Sequence, residues 1–218
     1  MPSIINPVTN ETISPYQFDG GVSVSGAPIS NSMALFNPAT AGLKAWNYPL
    51  ALATGTVAAA VVSTGTVYLS EIALGYGQAF GNIYFDVTAA ATGPSTTASF
   101  AGLYYINSST SAALVASTAQ IGSAIGTVTG FATLPLTASY TTTAAGLYYV
   151  GLVMGATTMP GFRTIGGTGS TAAYIGGVAT AANYPFWTNG TGASTLPTTV
   201  TLSSNNAGTA YTFWCGMS

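Results

Sequence analysis

The stretch Leu134 to Met154 constrains the fold more tightly than any other part of the chain. It reads Leu134-Pro-Leu136-Thr-Ala-Ser-Tyr140, then Thr-Thr-Thr-Ala-Ala, then Gly146-Leu-Tyr148-Tyr149-Val-Gly-Leu152-Val-Met154. The spacing predicts one strand, a turn and a second strand. Aromatic and β-branched residues crowd the second half; a pleated surface accommodates them, whereas a helix restricts them at χ1, and Gly146 marks the turn.

Further apolar runs separated by small-residue turns repeat this pattern at the spacing of a sandwich. Strands are predicted near Val57 to Val62, Thr66 to Leu74, Gly81 to Ala89, Ala98 to Ile106, Ala112 to Ser117 and Val128 to Leu136. Four more follow near Leu147 to Met154, Ala172 to Val178, Thr198 to Ser203 and Ala210 to Gly216. Alternation is cleanest in Ile83-Tyr-Phe85-Asp-Val87, which places Ile83, Phe85 and Val87 toward the core and Asn82, Tyr84 and Asp86 outward. No window shows a capped helical period, although Ala112 to Ala124 is Ala-rich enough for one turn of helix. The expected class is all-β, an antiparallel β-sandwich, preceded by an extended N-terminal arm.

At 218 residues and 48% hydrophobic, the chain has material for one sizeable core, which at this length buries roughly 70% of the unfolded surface. Only 3% of it is charged, two cations and four acids, against roughly 25% in an ordinary domain. Ser, Thr, Asn and Gly must therefore supply the polar surface. With net charge −2 and a pI near 4.3, the chain cannot neutralise a run of phosphates, so nucleic acid is excluded as an expected partner. Trp46 to Leu69 carries no charge, but Thr, Ser and Gly interrupt it, so no membrane span is expected; a strand pair turning near Ser63-Thr-Gly65 fits instead. Pro2, Asn6 and Pro7 break any signal-like apolar core, and assembly in a cytoplasm is the expectation. Cys215 stands alone, leaving no intrachain disulfide. The Asn-x-Ser/Thr matches at Asn10, Asn107 and Asn189 carry little weight in a Thr-rich chain.

Residues 1–41 read as the arm and 42–218 as the sandwich domain. Five prolines and Gly20-Gly21 punctuate the first segment, and its apolar residues Ile4, Ile5, Tyr16, Phe18, Leu35 and Phe36 are spread too thinly to form a core. Such hooks suit docking onto a neighbour; a flexible terminus or an added edge strand fits the composition equally. Three long loops are predicted, at Ala90 to Thr97, Gly161 to Ser170 and Thr180 to Pro197. The third contains Tyr184-Pro-Phe186-Trp187 followed by the turn signal Asn189-Gly190. Exposed, Tyr184, Phe186, Trp187 and Asn189 would meet a glycan or a partner; buried, they would plug one end of the sandwich, the reading that large aromatics favour.

No cofactor or metal site is expected. The chain has no His, which removes the commonest general base, the Ser-His-Asp and Cys-His arrangements and the usual zinc ligands. The carboxylates are Glu11, Asp19, Glu71 and Asp86. Glu71 and Asp86 would serve a glycosidase if their strands were adjacent about Gly75-Tyr-Gly77, since that chemistry needs two carboxyls ~5 to 9.5 Å apart. Two solvated strand residues that discourage edge aggregation are the simpler expectation. Arg163 follows Pro160-Gly-Phe162 in a predicted loop, where a solvated charge is expected over an ion pair across an interface.

Gly65-Thr-Val-Tyr-Leu-Ser-Glu-Ile-Ala-Leu, Gly81-Asn-Ile-Tyr-Phe-Asp-Val, Leu136 to Tyr140 with Gly146-Leu-Tyr-Tyr-Val-Gly-Leu, and the ending Phe213-Trp-Cys-Gly-Met-Ser218 come in sandwich order. This series resembles the jelly-roll domains of tailed-bacteriophage virion proteins, over about Gly42 to Ser218. The resemblance implies a structural protein on the exterior of a tail, tail fibre or capsid, present in several copies. It implies a homotrimer, and the apolar, charge-poor composition adds that some surface is shared between subunits. Three functions follow as expectations: an exposed minor tail or fibre component attaching to the host surface and its glycans; a capsid decoration or head-fibre protein held on other virion proteins through its arm; and, least expected, a polysaccharide hydrolase.

Overall fold

A computed structural model describes residue 39 and residues 42–47, 63–164, 188–202 and 212–218, together with the backbone of a few further strand positions. The strands are β1 (Ile4–Ile5), β2 (Thr12–Ile13), β3 (Ser23–Val24), β4 (Ala27–Pro28), β5 (Ala45–Trp46), β6 (Gly55–Val57), β7 (Val67–Leu74), β8 (Ala79–Ala89), β9 (Thr92–Pro94) and β10 (Phe100–Ser108). They continue as β11 (Ser111–Ser117), β12 (Gly130–Thr141), β13 (Gly146–Val153), β14 (Ala156–Thr158), β15 (Gly161–Ile165), β16 (Phe186–Asn189), β17 (Thr199–Thr201), β18 (Thr212–Phe213) and β19 (Cys215–Met217). Among the described residues one α-helical turn, α1 (Gly122–Gly126), interrupts them.

Two antiparallel sheets form a sandwich. One has six strands in the order β16-β7-β13-β10-β11-β17, and the other has seven, with β8 paired to β12 on one side and to β15 and β19 on the other. The chain changes sheets repeatedly: β7 lies in the first, β8 in the second, β10 and β11 in the first, β12 in the second, β13 in the first. Leu134 to Met154 therefore does hold two strands and a turn, but β12 and β13 pair in different sheets and cross the core rather than forming a hairpin. The hairpin expected about Ser63-Thr-Gly65 is corrected in the same way, because β6 pairs with β15 while β7 pairs with β13 and β16.

The main core follows from period-two patterning. Ile83, Phe85 and Val87 on β8 point inward as their alternation requires, and share one cluster with Ile72, Leu103, Leu134, Tyr148, Val150 and Leu152. A chain of tilted rings crosses from sheet to sheet: Phe85 to Phe162 at 5.7 Å, Phe162 to Phe213 at 5.1 Å and Phe213 to Tyr68 at 5.5 Å between centroids. Each fully buried side chain of this size contributes roughly 1.5–3 kcal/mol, and offset ring pairs add about 0.5–1.5 kcal/mol.

β7 and β13 are apolar at both parities because the six-stranded sheet is covered on both faces. Val67, Leu69, Tyr149 and Val153 join Tyr104, Val200 and Leu202 in a second cluster outside the sandwich, with Ala193 and Leu196 packed against it. Two facing glycines make room for this cover, Gly102 on β10 directly opposite Gly151 on β13. A Cβ at Gly102 would lie 2.6 Å from Leu196 Cδ1, and one at Gly151 would lie 2.6 Å from the Tyr104 ring. The Tyr104 hydroxyl then donates to the Pro197 carbonyl at 2.9 Å, pinning the covering segment.

Each of the three expected loops holds a strand. β9 pairs with β14, β15 joins the seven-stranded sheet, and β16 forms an edge of the six-stranded sheet against β7. These strands are short and flanked by Gly or Pro, so their own residues carry little pattern; the ladder partner creates them. The strand expected at Ala172 to Val178 lies outside the described residues. In the region read as an arm, β1 pairs with β2 and β3 with β4, two short hairpins where an extended segment is expected.

Candidate functional site

The outward positions of the seven-stranded sheet converge on one surface. Register places Phe131 of β12 opposite Asp86 of β8, Thr133 opposite Tyr84 and Pro135 opposite Asn82. On the other side of β8, Gly216 lies opposite Tyr84 and in turn opposite Trp46. Phe213, Cys215 and Met217 face the core, so Trp214 and Gly216 between them face outward.

Gly216 makes room for the Trp214 indole. A Cβ at Gly216 would come 3.2 Å from Trp214 Cη2 and 3.0 Å from Leu43 Cδ1, tighter than packed atoms ordinarily sit. The indole, 1% exposed, is enclosed by Leu43, Trp46 and Tyr84. Phe131 tilts against it at 5.3 Å and 57°, yet remains 52% exposed. An aromatic ring is thus fixed from below and open above.

Beside that ring stands the one salt bridge among the described residues. Arg163 Nε donates to Asp86 Oδ2 at 3.0 Å, with the Asp86 side chain 10% exposed and that of Arg163 35% exposed. Both expectations for these residues are corrected: Arg163 lies in β15 rather than in a loop, and Asp86 is covered rather than solvated because the guanidinium and Phe131 flank it. Further along the face, Tyr84 Oη and Ser218 Oγ share a hydrogen bond at 3.0 Å, and Asn82 Nδ2 donates to Ser218 Oγ at 3.2 Å.

Glu71 lies elsewhere. It is on β7 with Val67 and Leu69, on the outer face of the six-stranded sheet and opposite Tyr149. Its Oε2 is buried with no hydrogen-bond partner, and burial pushes the carboxyl up to about 7. Glu71 and Asp86 therefore project from opposite outer faces of the sandwich, separated by more than the ~10 Å between stacked sheets. They do not form the paired site that a shared face would have given, and neither Glu11 nor Asp19 is among the described residues.

The sequence-predicted contact residues fall on the other sheet. Phe186 and Trp187 lie in β16, opposite Ser70 and Leu69 of β7, and Asn189 ends that strand half-buried opposite Val67. Gly190 follows with φ 61°, the left-handed turn that Asn-Gly announces. Tyr184 is outside the described residues. So are Tyr16, Phe18, Leu35 and Phe36, while Ile4 and Ile5 form β1.

A cleft of about 290 Å³ opens between Leu114–Ser117 and Thr137–Tyr140, where β12 bulges between Pro135 and Tyr140. Its lining holds no carboxylate or cation, so it offers no acid–base pair. Among the described residues no group of three or more His, Cys, Asp or Glu is placed to hold a metal, and no helix is long and apolar enough to cross a membrane. Cys215 is buried and free, with burial pushing its thiol up and away from reactivity.

Sequence reasoning placed Asn82, Tyr84 and Asp86 outward but missed their neighbours. Phe131 comes from β12, Arg163 from β15 and Trp214 from the residue joining β18 to β19, and no local pattern ties those segments together. No family model matches the sequence, and no curated protein matches it.

Proposed function

We propose that this chain is a non-enzymatic structural protein of a bacteriophage virion, an exposed tail or fibre component that attaches to the host surface. The observation that carries this reading is the outer face of the seven-stranded sheet, where a clamped, half-open aromatic ring sits beside a charge-compensated ion pair and neutral hydroxyl and amide groups. That arrangement suits recognition of another surface, since it offers shape and polar contacts without a reactive group. The splitting of Glu71 and Asp86 between opposite faces supports a binding role over the hydrolysis of a glycosidic bond.

The resemblance to virion jelly rolls adds a homotrimer held on other virion proteins through residues 1–41. The test is genetic. Particles lacking the protein should stay intact and lose adsorption to cells, and adsorption should return when the protein is supplied. Heads that become fragile while adsorption persists would overturn the attachment reading in favour of capsid decoration.

A further inference from the structure

We propose that the face centred on Phe131 binds a neutral saccharide, stacking a sugar ring on Phe131 while Arg163 and Asp86 hydrogen-bond its hydroxyls. A pyranose has an apolar face of C–H bonds, slightly positive, and a rim of hydroxyls that both donate and accept. The negative face of an aromatic ring receives the first, and planar polar groups at its edge receive the second. Phe131 supplies the ring, and its packing on Trp214 fixes the tilt before any ligand arrives. Asp86 lies directly across the ladder from Phe131, so the ion pair adjoins the ring.

The chemistry of that pair selects the ligand class. Arg163 uses Nε on Asp86 Oδ2, leaving its remaining guanidinium donors for a ligand, while Asp86 keeps acceptor capacity on its second oxygen. Their charges cancel. An anionic ligand would have to compete with Asp86 for the guanidinium, and a cationic one with Arg163 for the carboxylate; a hydroxyl pair on a neutral sugar needs neither exchange. Thr133, exposed beyond Phe131, extends the polar rim.

A second copy of the chain fits this face less well. The exposed large apolar side chains among the described residues are Tyr76, Phe131 and Leu147, and they lie on a turn, on the seven-stranded sheet and on the six-stranded sheet respectively. Among the described residues Phe131 is therefore the one strongly exposed large apolar side chain of this face, its apolar neighbours Leu43, Trp46 and Tyr84 being half-buried around Trp214, which is less apolar area than the core of a stable protein interface. The inference rests on the attachment reading for its biological role, and on the geometry alone for the binding.

The experiment uses purified full-length protein and saturation-transfer NMR. The probes are methyl glucoside, methyl galactoside and N-acetylglucosamine, with N-acetylneuraminic acid and inorganic phosphate as charged comparators. Transfer is expected to at least one neutral sugar. Phe131→Ala should weaken it by about tenfold or more, Phe131→Tyr should retain it, and Arg163→Lys should weaken it by losing the planar fork. Three results would overturn the inference: no transfer to any neutral sugar, transfer unchanged in Phe131→Ala, or preference for a charged comparator. So would a smaller sedimentation coefficient for Phe131→Ala, which would make the face an interface between copies. Particles carrying Phe131→Ala that still adsorb would sink this site while leaving attachment standing; sugar binding with adsorption unaffected by loss of the whole protein would do the reverse.

Discussion

Replacing Glu71 with Gln should make the protein more stable at alkaline pH and leave it unchanged in acid. The carboxyl sits on β7 beside Leu69 and across from Tyr149, with Oε2 buried and unpartnered, and burial raises it from 4.5 to about 7. Below about pH 4.5 it is protonated whether the chain is folded or not, and costs nothing. As pH rises from there, the unfolded chain ionises first, so stability falls by up to about 1.4 kcal/mol per pH unit until the folded carboxyl also ionises near pH 7. The full interval corresponds to ~3 kcal/mol, and solvent reaching the partly covered side chain trims this to about 2 kcal/mol. Gln keeps the shape and has no charge to desolvate. The chain has no His, so little else titrates between about pH 5 and pH 8 except the α-amino group, which both proteins share. Urea unfolding followed by tryptophan fluorescence, from about pH 4 to about pH 9, gives both curves. They should coincide in acid and separate through neutrality, with the variant higher. Parallel curves, or a variant less stable at every pH, would refute the account of Glu71 as an uncompensated buried acid.

Phe85→Ala should cost ~3 to 5 kcal/mol in chemical unfolding, because it empties a fully buried site, whereas Tyr84→Ala on the opposite face should cost less than about 2 kcal/mol. Gly151→Ala should destabilise by about 1–3 kcal/mol by driving a methyl into the Tyr104 ring, and Tyr104→Leu should relieve most of that cost in a double-mutant cycle. A chain beginning at Gly42 retains β5 and should melt within a few degrees of the full-length protein while failing to join particles; a fall of tens of degrees would make residues 1–41 part of the fold.

The chain announces its strands through side chains that sit on one sheet face or the other, and β8 shows why that works. Ile83, Phe85 and Val87 alternate with polar residues, and each inward position enters the core. Partners are harder to read, because a ladder is made of backbone groups that every residue carries. Hence β12 and β13 were legible as strands while their division between sheets was not, and β15 and β16 passed for loops until a neighbour supplied their hydrogen bonds. The doubled apolar parity of Val67-Tyr-Leu-Ser in β7 was a usable sign that both faces are covered. The candidate face had no such sign, since Phe131, Asp86 and Arg163 meet only after three separate strands are in register, and Trp214 joins them from the link between β18 and β19.

Asn47 ties the two ends of the described sandwich together. Its Nδ2 donates to the Phe213 carbonyl at 2.7 Å, and its Oδ1 accepts from the Cys215 amide at 3.0 Å, across 166 and 168 residues of chain. β5 and β19 pair over the same span. Contacts this distant in sequence form late, after most of the intervening chain is ordered, and folds dominated by them take milliseconds to seconds or longer to assemble. Interactions absent from the transition state chiefly slow unfolding. The seam at Asn47 is therefore expected to act as a kinetic clasp: Asn47→Ala should speed unfolding far more than it slows refolding, and refolding slowed by the same factor would refute it.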